Sequence, residues 1–168
     1  VADDLNRDVA EIPISLEAME MWHRIASIVG DDCGFHAHGQ VLVAEDDLVN
    51  QMVVEEMLKL LGCEVDVVGD GAAACRAVAE GRYDLVFMDC HMPVMDGYEA
   101  TRRIRRDEQT HGRRVTIVAL TADALDSDRY RCTEAGMDAF MTKPVSSSQL
   151  SATIERWTGR RTNPATQW

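Results

Sequence analysis

The sequence predicts an α/β fold: a doubly wound, five-stranded parallel sheet of order 2-1-3-4-5, preceded by an N-terminal helical extension. Three observations carry this. From Gln40 onward, short apolar runs alternate five times with stretches of helical period. The run 83–88 is apolar enough to be a buried parallel strand, bounded by Gly81 before it and by Pro93 and Gly97 after it. Finally, Glu45-Asp46-Asp47, Asp89, Thr121 and Lys143-Pro144 each fall where a strand ends, which is where open α/β sheets place their ligands.

Each element follows from its own pattern. Residues 41–44 form a short apolar strand. Residues 47–61 are helical, with Val49, Met52, Met57 and Leu60 at helical spacing and Gly62 as the stop. Residues 64–68 alternate polar and apolar, as an edge strand does. An alanine-rich helix over 71–80 leads to the third strand at 83–88, closed by Asp89. A helix over 97–107, a strand over 115–120, a helix over 124–135, a strand over 139–142 and a helix over 147–157 complete the body. Upstream, Leu16, Met19, Trp22, Ala26 and Val29 recur at steps of three or four, between a cap at Ser15 and a stop at Gly30. One helix at 15–29 is marginal in water alone and must pack on something. The expected domains are an acidic linker with that helix (1–39), the body (40–158) and a polar tail (159–168).

Bulk properties exclude several classes. With 27% charged and 46% hydrophobic residues among 168, the chain has room for one good core and a short extension. No window approaches the roughly 18–20 apolar residues of a membrane span, and no signal segment opens the chain. A chain that begins at Val1 reads as a piece of a longer polypeptide. The five cysteines are scattered and lack a C-x-x-C pair, which argues for free thiols in a reducing compartment. Net charge is −12, and residues 1–38 contribute eight acids against two bases, so there is no footprint for nucleic acid. The arginines of 102–106 spread around several helix faces and read as a solvated helix.

Strand order 2-1-3-4-5 has its switch point between strands 1 and 3, so Glu45 and Asp46 would lie beside Asp89, with Thr121 and Lys143 flanking the same crevice. Three converging carboxylates repel unless a cation offsets them. Oxygen ligands of this kind suit a hard divalent ion such as Mg²⁺, which combines one or two carboxylates with water and phosphoryl oxygen. A carboxylate can also attack phosphorus to give an aspartyl phosphate, and Asp89, mid-sheet, is the candidate nucleophile.

The segments 42–47, 86–97, 119–122 and 142–144 together resemble the response-regulator receiver domain, in order and at normal spacing across residues 40–157. The style of 49–51 and 88–100 resembles the receivers of hybrid histidine kinases. The resemblance implies a flavodoxin-like fold and a phosphorelay role in which a partner's phosphohistidine donates to Asp89. It implies Mg²⁺ or Mn²⁺ at Glu45, Asp46, Asp89 and the backbone carbonyl of His91. Thr121 would bind the phosphoryl group and move inward, Lys143 would pair with phosphoryl oxygen, and the Lys143–Pro144 bond is a candidate for the cis form. Phe140 occupies the aromatic switch position, while His91 and Asp123 fall where the family tunes dephosphorylation. The implied partner is a histidine kinase or a histidine phosphotransfer domain, with a homodimer or an intramolecular domain contact beside it. Neither nucleic acid nor membrane contact is expected of this segment. The expected location is cytoplasmic, the parent chain being free to carry a membrane anchor. The domain acts on its own phosphoryl group, and any kinase activity would belong to the parent.

Two other classes compete. An aspartyl-phosphate phosphatase of haloacid-dehalogenase type needs an acid two residues after the nucleophile, where this chain has His91. A pseudo-receiver that only binds partners has no need of the full set Glu45, Asp46, Asp89, Thr121 and Lys143. Among the local readings, Asp47 is expected to cap the first helix, Asp96-Gly97 to start another, and His23 to serve packing.

Overall fold

A computed structural model describes residues 39–81, 83–122 and 126–159. The elements run β1 (Gln40–Ala44), α1 (Leu48–Leu60), β2 (Glu64–Val68), α2 (Gly71–Glu80), β3 (Leu85–Asp89), α3 (Gly97–His111), β4 (Thr116–Thr121), α4 (Asp126–Ala135), β5 (Ala139–Thr142) and α5 (Ser147–Thr158). The five strands are parallel and ordered β2-β1-β3-β4-β5. The fold class and strand order are those expected. The helix expected at 15–29 lies outside the described residues.

Successive residues of a strand point to opposite faces, so each central strand feeds two cores. Leu42, Val86, Met88, Ile117 and Ala119 pack on one side with Ala74 of α2, Ile104 of α3 and Cys132 of α4. Val43, Leu85, Phe87, Val118 and Leu120 pack on the other with Leu58 of α1 and Leu150 and Ile154 of α5. Burying one such side chain contributes about 1.5–3 kcal/mol, which is why the central strands tolerate almost no polar residue before their last position. β2 stays half-exposed at the sheet edge, in keeping with its alternation.

Side chains fix the helix starts. Asp47, Asp70, Asp96 and Ser146 cap α1, α2, α3 and α5, and Ser146 forms a reciprocal capping box with Gln149. Among the described residues, two boundaries differ from the sequence reading by more than one residue. Helix α3 runs to His111 and not to Asp107, because its last turn is polar yet helix-compatible and stops only at Gly112, whose φ of 70° suits glycine. Strand β3 begins at Leu85, since Tyr83 is buried for another reason: its hydroxyl donates to Asp66 at 2.7 Å. Among the described residues no helix is long and apolar enough to cross a membrane.

Candidate functional site

Register converts the strand ends into one crevice. Ala44 on β1 pairs with Met88 on β3, so Glu45 and Asp89, each one residue further, emerge side by side. Asp89 pairs with Leu120 on β4, which sets Thr121 beside it, and Thr121 pairs with Thr142 on β5, just before Lys143. Glu45, Asp89 and Thr121 are buried, while Asp46 is exposed at the rim. Ligand oxygens of Glu45, Asp46 and Asp89 all lie within 4.8 Å of one another.

The Asp89 carboxylate is held at both oxygens. Oδ1 accepts from the backbone N–H of His91 at 3.1 Å, and Oδ2 accepts from Lys143 Nζ at 2.6 Å. The same ammonium lies 2.6 Å from Glu45 Oε2. Burial lowers the Lys143 pKa, but hydrogen bonds and charge attraction from Asp89 and Glu45 outweigh it and leave the group above its ordinary 10.5, so the lysine stays cationic. The peptide bond Lys143–Pro144 is cis. Gly97 lets α3 start directly beneath this point: a Cβ there would sit 2.1 Å from the Asp89 carbonyl oxygen.

The donor set fits a divalent cation on two counts. Three carboxylates face one ammonium, which leaves negative charge uncompensated. Glu45 Oε2 is buried, and the Lys143 ammonium it faces is shared with Asp89. All the oxygen donors are hard, as Mg²⁺ prefers.

The chain matches the response regulator receiver domain family over residues 41–155. This chain is a response-regulator receiver domain. Among solved receivers it is similar to that of a Pseudomonas aeruginosa sensor histidine kinase, with 48% identity, a TM-score of 0.67, and coverage of 73% of this chain and 98% of that one. That structure carries a magnesium ion coordinated in its active-site cleft. It is also similar to the receiver domain of a Saccharomyces cerevisiae response regulator crystallised with a histidine phosphotransfer protein. There the identity is 31%, the TM-score 0.68, and coverage 76% of this chain and 94% of that one. A probable histidine kinase from rice (Oryza sativa) is 45% identical over 119 residues, 62% of this chain, and the match spans 11% of the rice protein's length. Nothing in these likenesses favours the phosphatase reading.

The receiver brings together Glu45, Asp46, Asp89, Thr121 and Lys143 as the sequence reading expected. Asp47 is the cap of α1, its Oδ1 accepting from Val49 and Asn50 N–H at 2.9 Å. His91 is exposed, its ring edge-on to Tyr98 with centroids 6.0 Å apart. Phe140 is half-buried, with the Arg129 guanidinium 4.7 Å above its ring. Asp123 lies outside the described residues. Cys90 Sγ sits 3.9 Å from Cys132 Sγ, and this contact together with burial raises the Cys90 pKa, so the thiol beside Asp89 is neutral and shielded. Sequence reasoning missed Asn50 and Gln51. Asn50 donates to Glu45 Oε1 at 3.2 Å, and Gln51 donates to the Glu45 carbonyl at 2.5 Å. Their position in the first turn after an acidic strand end was the available signal.

Proposed function

We propose that this receiver accepts a phosphoryl group from a partner's phosphohistidine onto Asp89. The supporting observation is the buried Asp89 carboxylate, gripped by Lys143 and His91 N–H and flanked by two further acids. A carboxylate oxygen of Asp89 attacks phosphorus, the phosphorus–nitrogen bond breaks, and the partner's imidazole leaves with the electron pair. Lys143 transfers its hydrogen bond from Asp89 Oδ2 to a phosphoryl oxygen, and the Thr121 hydroxyl binds another. Mg²⁺, or Mn²⁺ in its place, would be held by Glu45, Asp46, Asp89 and the His91 carbonyl and would neutralise charge on the transferring group. The added charge biases two arrangements of the β4–α4 region and of Phe140, with His91 and Asp123 tuning phosphoryl lifetime.

The partner is a histidine kinase or a histidine phosphotransfer domain, and the parent chain is a hybrid histidine kinase working in the cytoplasm. Helix α1 supports this reading, because Leu48, Val49, Met52 and Val53 form an exposed apolar face beside the crevice. The deciding experiment incubates the chain with phosphoramidate or acetyl phosphate and Mg²⁺ and weighs it intact beside Asp89→Asn. Gain of one phosphoryl mass by the wild type alone is expected. No gain by the wild type sinks the reading, and equal gain by the variant moves the acceptor elsewhere.

A further inference from the structure

We propose that Asn50 is a positioning residue that clamps the Glu45 carboxylate and so sets the affinity of the crevice for a divalent cation; the proposal rests on the receiver reading above. Glu45 is 1% exposed, and its two oxygens have different surroundings. Oε1 accepts from the Asn50 side-chain amide at 3.2 Å and from the Asp47 N–H at 3.4 Å. Oε2 faces the Lys143 ammonium at 2.6 Å, which Asp89 shares. The last torsion of a glutamate is soft, so the plane of the carboxylate has little intrinsic orientation of its own. Asn50 helps to fix that orientation: its amide N–H holds one oxygen and turns the other into the crevice beside Lys143, where a cation would share it.

Asn50 is itself aimed. Its backbone N–H donates to the Asp47 cap at 2.9 Å, which fixes the first turn of α1 over the end of β1. The Gln51 amide secures the Glu45 main chain from the same turn. Without the Asn50 amide, Oε1 keeps only the 3.4 Å contact, which is near the limit for a hydrogen bond. Because the Asn50 side chain is exposed, its loss has little packing consequence. Removing a group that orients a metal ligand typically weakens metal affinity by about 10–100-fold.

The test is calorimetric titration of Mg²⁺ into the full 168-residue chain, unphosphorylated, as wild type, Asn50→Ala, Glu45→Gln and the double variant. Far-UV circular dichroism checks folding, and Asn50→Ser provides a second substitution on the same turn. Asn50→Ala is expected to bind Mg²⁺ about tenfold more weakly than wild type. In the Glu45→Gln background the same substitution should change affinity by less than about twofold, because the group it positions is gone. Wild-type affinity in Asn50→Ala overturns the clamp and leaves the receiver reading standing. An equal loss in both backgrounds also overturns it, since Asn50 would then act without Glu45. A wild type that binds no Mg²⁺ overturns the metal reading and the clamp together.

Discussion

The two ends of the sheet each hold a cluster of charge, and the clusters obey opposite rules. At the amino ends of β4 and β5, Arg105 donates to Glu108, to Asp138 at 2.6 Å and to the carbonyls of Val115 and Gly136. Arg114 pairs with Asp138 as well, and the two carboxylates also accept from the backbone of Val115 and Ile117. Two cations meet two acids, and the polar atoms are matched. At the carboxyl ends three acids meet one ammonium, that of Lys143, which Glu45 and Asp89 share. A matched cluster ties elements together, whereas a mismatched one is free to bind. Burial of charge alone would not have told these ends apart.

The largest expected effect tests that distinction directly. Arg105→Leu leaves Glu108 and Asp138 without their buried partner and should cost about 3–5 kcal/mol in urea unfolding. Asp89→Asn, which removes one of three like charges, should stay within about 1 kcal/mol of wild type in the same measurement. If the two variants lose stability equally, the contrast between the ends fails. A smaller effect sharpens it. At tenfold excess over its dissociation constant, Mg²⁺ should raise unfolding stability by about 1.4 kcal/mol. Asp46→Asn should lose most of that gain, and Arg114→Ala, at the other end, should keep it.

The smallest effect concerns pH. Burial, and then the adjacent Asp66 carboxylate, push the Tyr83 hydroxyl up to about 12 from an ordinary 10. A raised pKa means that the folded state keeps its proton longer than the unfolded one. The stability from Tyr83 is therefore complete below pH 10 and is lost as pH rises toward about 12. Tyr83→Phe should cost about 1 kcal/mol at pH 8 for the lost hydrogen bond, and its stability should fall less steeply across that window. Parallel curves for the two proteins would show that Tyr83 does not titrate with folding.

How much of this was legible depended on how local the cause was. Strand order and crevice followed from alternation, because a buried parallel strand announces itself in its own few residues. The roles of Asp47 and Asp96 as caps were likewise readable from position. Arg105 was not, since what distinguishes it from Arg102 and Arg106 is Asp138, 33 residues later, brought near only by the finished fold. The last turn of α3 was missed because it carries no apolar period, and its stop at Gly112 stood in the sequence unused. Asn50 was missed for a subtler reason: its partner is five residues away, yet the contact exists only through the turn between β1 and α1.

Gly97 takes no part in any proton or phosphoryl movement, but it constrains what this gene can become. The smallest possible side chain there would collide with the Asp89 main chain, and no neighbouring rotamer can move aside to admit it. Every missense change at that codon should therefore displace the carboxylate before altering any chemistry. In a saturation library, position 97 should be as intolerant as position 89, and a screen that counted only lost signalling would mistake a spacer for a catalyst.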